Sequence, residues 1–249
     1  MRTSNPALSS KVFTGLEPTT DTMSIQGTVN KTLILLLLVC VSAAWIWNRY
    51  YGAPEPSQAL ADISLWMIGG AIGGFIVALV TIFKKSWASV TAPIYALLEG
   101  LLLGGISATF EARYPGIVIQ AVGLTFGTLF CLLVVYTSRM IKVTQNFRLG
   151  IVAATGGIAL FYLVSLVLGM FGINIPLIHE NGLIGIGFSL FVVVIAALNL
   201  VLDFDFIENA AAQGAPKYME WYGAFGLIVT LVWLYIEILR LLSKLRSRN

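Results

Sequence analysis

The chain has 249 residues, of which 58% are hydrophobic and 11% charged, and its formal net charge is +3. A soluble domain carries roughly a quarter charged residues, so this composition excludes a water-covered surface, and the few basic residues argue against nucleic acid as a partner. Its two cysteines, Cys40 and Cys131, lie in apolar runs without a CxxC motif, which argues against a disulfide framework or a thiolate metal site.

Residues 1–30 are rich in Ser and Thr, hold Pro6, Gly15 and Pro18, and show no sustained apolar period; they read as a disordered cytoplasmic tail. The apolar run 32–47 follows Lys31 and ends at Asn48-Arg49-Tyr50. It starts too late in the chain for a typical cleaved signal peptide and reads as a retained crossing. Six further runs follow at 63–83, 90–110, 117–136, 149–171, 183–202 and 222–242. Uncharged stretches of about 18 residues or more match a hydrocarbon core roughly 30 Å thick. Membrane-barrel strands would instead be ~10-residue alternating segments. The fold class expected is therefore all-α: a polytopic membrane protein with a bundle of seven transmembrane helices in residues 31–249.

The connections are too short for a soluble domain. With the N-terminus inside, Lys84, Lys85, Arg139, Lys142, Arg148 and Lys217 face the cytoplasm, as the positive-inside rule prefers. Seven full crossings then place Arg240, Lys244, Arg246 and Arg248 outside. Either earlier helices fix the topology and that cluster is tolerated, or a late segment re-enters the membrane.

Helices in lipid approach closely through small residues. Gly69, Gly70, Gly73 and Gly74 form two overlapping GxxxG pairs in the second run, and Gly100, Gly104 and Gly105 give the third a small face. Helix packing explains them, since a phosphate-binding glycine loop needs a preceding strand.

Ionisable residues at membrane depth are functional candidates because they are costly there. Glu99 lies mid-run with no basic neighbour in sequence, so it is either protonated or hydrogen-bonded across helices. Asp203 and Asp205 close the sixth run. Two residues apart, they point in nearly opposite directions, and Asn199, one turn before Asp203, favours Asp203 as the inward one. Both could equally mark the helix end at the interface. Glu237 and Arg240, three apart, can neutralise each other near the membrane surface.

Catalytic readings lack parts. The single histidine, His179, sits beside Glu180 in a loop, so there is no HExxH site and no serine–histidine pair within the crossings. Asp203 is preceded by Leu200-Val201-Leu202 rather than the Gly-x-Gly of an intramembrane aspartyl protease. No enzymatic activity, cofactor or bound metal is expected.

The segment Leu98-Glu99-Gly100-Leu101 through Gly104 to Ser107, the acidic cluster Leu202-Asp203-Phe204-Asp205, and the final Leu234-Tyr235-Ile236-Glu237-Ile238-Leu239 before a basic tail resemble the Bax inhibitor-1 (transmembrane BAX inhibitor motif) family, more narrowly its bacterial YccA- and YetJ-like branch. The resemblance covers nearly all the chain after residue 30. It implies a bacterial plasma-membrane location and a calcium-permeable leak gated by two proton-sharing carboxylates on the sixth and seventh helices. Such a pair cannot ionise fully at low cost and so responds to pH. Carried over, the sixth-helix member is Asp203, or Asp205 in a shifted register, and the seventh-helix member is Glu237. The separation of Asp203 and Glu237 is longer than in the family pair. From Tyr222 to Glu237 is about 22 Å of helix, so Glu220 and Glu99 stand as alternative partners. Some bacterial relatives are thought to regulate a membrane protease instead, and the N-terminal tail would be the contact for such a partner. The lipid bilayer is the partner common to both readings.

Overall fold

A computed structural model describes residues 22–172 and 182–247. Most of the expected N-terminal tail (1–21), His179, Glu180 and Arg248 lie outside the described residues. Seven long helices make up most of the described residues: α1 (Ile25–Gly52), α2 (Pro56–Phe83), α3 (Ala88–Arg113), α4 (Ile117–Thr137), α5 (Gln145–Met170), α6 (Leu183–Ala212) and α7 (Met219–Ser247), with a 3-10 turn at Lys85–Trp87 before α3. All seven are long and apolar enough to cross a membrane. The described residues contain no strand.

The helices overrun the apolar runs because their ends are capped in polar sequence. α1 starts at Ile25 rather than near residue 32: the Ser24 side chain accepts the Gly27 N–H, filling one of the bonds a first helical turn lacks. Thr144 does the same for α5 through Phe147. α6 closes in a Schellman turn, with Ala215 N–H on the Ala210 carbonyl and Gly214 N–H on Ala211; Gly214 supplies the left-handed backbone at φ 66°. α7 continues unbroken past Leu242 to Ser247, so it contains no interrupted, re-entrant segment.

Two compact units emerge. Among the described residues one comprises 22–115 and 207–228, the other 116–206 and 229–247. α6 and α7 contribute residues to both.

In the first unit α3 packs on α1 and α2 through glycine. A Cβ on Gly100 would strike Val39 and Ser42, and one on Gly104 would strike the Ala43 backbone, so these two positions set the α1–α3 approach. On α2, Gly70 and Gly74 meet Leu98 and Glu99 of α3, whereas Gly69 faces open space. Only the second of the two overlapping GxxxG pairs is therefore wholly an interface. The opposite face of α2, with Leu65, Ile68, Ile72 and Phe75, is exposed. Leu160, Leu163, Leu166 and Met170 of α5 and Ile119, Phe130 and Val134 of α4 are exposed as well, as are the thiols Cys40 and Cys131. Apolar faces this extensive would drive association in water; in lipid they face their preferred solvent.

In the second unit Ile158, Val192 and Ile195 form a buried cluster with Ala154, Tyr162, Phe188 and Trp233 packed around it. This apolar contact joins α5, α6 and α7 and fixes the rotation of each helix. Their polar side chains are consequently held on the inner faces.

Candidate functional site: a buried polar seam along α5, α6 and α7

The buried face of α6 reads Gly185, Ser189, Val192, Ala196, Asn199, Asp203, with spacings alternating between four and three. That alternation keeps one stripe facing its neighbours along the helix. The partner helices repeat their polar residues at intervals of seven: Arg148, Thr155 and Tyr162 on α5, and Thr230, Glu237 and Lys244 on α7.

These residues meet in a series of cross-links. Arg148 of α5 pairs with Asp205 of α6. Thr230 of α7 donates its hydroxyl to Asp203 Oδ2 at 2.6 Å, where Asp203 is fully buried. Asn199 Nδ2 donates to Thr155 Oγ1 at 2.9 Å and to the Ile195 carbonyl at 2.8 Å. Further along, Tyr162 donates to Glu237 at 3.0 Å and accepts from Arg240 Nη1 at 2.7 Å, while Arg240 also pairs with Glu237 at 2.9 Å and lies over the Tyr162 ring. Lys244 Nζ donates to the Gly185 carbonyl at 3.0 Å. From Gly185 to Asp205 is twenty residues of α6, about 30 Å at the helical rise, which matches the hydrocarbon thickness of a bilayer.

Of the four carboxylates singled out in the sequence, Asp203, Asp205 and Glu237 belong to this seam. Asp203 and Glu237 stand at different levels. Asp203 bonds to Thr230, and Thr230 is seven residues, about 10 Å, before Glu237 on α7. Asp203 thus meets α7 well past Tyr222, which shortens the separation expected from sequence, yet each carboxylate binds its own hydroxyl.

Glu99 belongs to the other unit. It is 9% exposed on α3, one turn beyond Tyr95, and lies against Gly74 of α2, where a Cβ would sit 3.3 Å from its Oε2. Gly74 therefore makes room for a carboxylate as well as for a helix. Glu220, an alternative partner for Asp203 in the sequence, is engaged within its own unit. It accepts from Ser24 N and Oγ at 2.9 Å each, pairs with Lys31, and pairs with Lys217 at 3.1 Å. The Met23 N–H on the Ala215 carbonyl completes a clasp that holds the start of α1 to the α6–α7 turn. Among the described residues no group of three or more His, Cys, Asp or Glu is arranged to hold a metal ion.

The acids stand out in the sequence, but Arg148, Tyr162 and Thr230 as their companions, and Thr155 and Lys244 as further members of the seam, do not. The seven-residue recurrence of polar residues on α5 and α7 was the available signal.

Seven helices of this length and apolarity, three of them joined by a membrane-deep polar seam, define a polytopic α-helical membrane protein. The Bax inhibitor 1 like family model matches residues 5–247, nearly the whole chain, and the protein belongs to that family. No curated protein and no solved structure matches it.

Proposed function

We propose that this protein is a pH-sensitive cation leak, with calcium as its permeant ion and the Asp203–Thr230 junction of α6 and α7 as its proton-responsive point. The observation that carries the reading is the buried seam itself. Polar and charged side chains are expensive at membrane depth and are concentrated where ions or protons move, and this series runs for about 30 Å of helix. Carboxylate, hydroxyl and carbonyl oxygens are the ligands calcium prefers. A carboxylate held by a threonine hydroxyl can exchange a proton without dismantling the helices around it. Asp205 and Glu237, each matched by an arginine, supply fixed charge on either side of that junction.

The test is calcium flux through purified protein in liposomes. Flux should exceed that of empty vesicles and change with pH, because a proton taken up by Asp203 removes a charge from the seam. Asp203→Asn should abolish the pH response. An absence of flux, or an unchanged pH profile in Asp203→Asn, sinks the reading. Glu99→Gln, assayed alongside, reports whether the carboxylate of the other unit contributes.

A further inference from the structure

Lysines near the ends of membrane helices ordinarily extend toward water and headgroups. Lys244 does the opposite. It is 4% exposed, and its ammonium points inward to the Gly185 carbonyl.

The consequence for its neighbour is specific. A serine or threonine inside a helix commonly donates to the carbonyl four residues earlier. In this protein Thr28, Thr32, Thr81 and Thr125 all do so. For Ser189 that carbonyl is Gly185's, the one to which Lys244 donates. The Ser189 hydroxyl is buried and has no hydrogen-bond partner among the described residues. An ammonium thus sits against a backbone carbonyl, one helical turn from an unengaged hydroxyl oxygen on the same face of α6. Two neutral oxygens at the end of a polar seam are what a mobile cation would use in passing.

Charge points the same way. Glu237, the nearest acid along α7, is already matched by Arg240. Lys244 therefore adds positive charge to this end of the seam, whereas at the other end Asp205 is matched by Arg148.

We propose that Lys244 is a tethered cation that closes one end of the α5–α6–α7 seam by occupying the carbonyl position a permeant cation would otherwise use. The inference rests on the leak reading and names the residue that restrains it. Neutralising Lys244 frees the Gly185 carbonyl oxygen, one turn from the Ser189 hydroxyl, and removes a repulsive charge from the path of a divalent ion.

The experiment compares the wild-type full-length protein with Lys244→Met, Lys244→Gln and Lys244→Arg in liposomes loaded with a calcium-reporting dye, with a large trapped dye as the control for general leakiness. Calcium flux should rise about tenfold in both neutral variants, a factor readily supplied by removing one unit charge from the path of a divalent ion. Lys244→Arg, which keeps the charge, should stay well below them, and the large dye should remain trapped throughout. A measurable wild-type flux that Lys244→Met and Lys244→Gln leave unchanged overturns the inference alone. A rise that Lys244→Arg shares, or that releases the large dye, also overturns it, because the effect then follows packing rather than charge. If neither wild type nor any variant passes calcium, the leak reading and this inference fall together.

Discussion

Thr230 on α7 holds Asp203 on α6 through a hydroxyl–carboxylate bond of 2.6 Å, with both side chains buried. Thr230→Val keeps the side-chain shape and removes the donor. Losing a hydrogen bond to a buried carboxyl should lower stability by about 2 kcal/mol, read as a lower thermal midpoint in detergent. Thr230→Ser, which retains the hydroxyl, should lose less than half as much.

Glu237, Arg240 and Tyr162 act as a unit, and their couplings separate in a mutant cycle. Arg240→Gln leaves a buried acid without its cation and should cost about 3 kcal/mol. The double change Glu237→Gln with Arg240→Gln should recover most of that loss, giving a coupling energy above about 1 kcal/mol. Additive single effects would show the pair to be unimportant. Tyr162→Phe should cost about 1 kcal/mol, the net worth of an ordinary hydrogen bond.

Two glycines in consecutive helices make a sharper comparison. Gly104→Ala drives a methyl group into the Ala43 backbone, which cannot move without separating α1 from α3, and should destabilise by about 2 kcal/mol. Gly69→Ala meets open space, and the better helix propensity of alanine should make it neutral or stabilising by up to about 1 kcal/mol. Equal effects at the two sites would contradict the packing described.

The Glu220 clasp predicts a local effect. Glu220→Gln weakens the bonds from Ser24, Lys31 and Lys217 together. Hydrogen exchange should quicken in the first two turns of α1 and in the α6–α7 turn. Amides near Arg148 and Thr155 should keep their protection.

The sequence exposed the crossings because each needs a long uncharged run, and that signal is local. It exposed the ends poorly. Ser24 and Gly27 cap α1 in a polar stretch that hydropathy reads as tail, and α7 carries Lys244 and Arg246 beyond the point where the apolar run stops. The acids stood out by chemistry alone, yet their companions did not: Arg148 reads as a loop cation from its place beside Asn146 and Gln145, and its pairing with Asp205 lies 57 residues away. Thr230 is silent in sequence because a threonine costs little in a membrane helix whether or not it binds an acid. Glu220 looked like a partner for Asp203 by depth along α7, whereas Lys31, 189 residues earlier, engages it.

Cys40 and Cys131, one in each unit, face outward among the apolar side chains of α1 and α4. The protein therefore carries its own depth markers. In intact vesicles an uncharged, lipid-soluble thiol reagent should modify both, and a charged reagent of the same reactivity should modify neither until detergent strips the bilayer away, so the burial of these helices in lipid can be read chemically without changing a single residue.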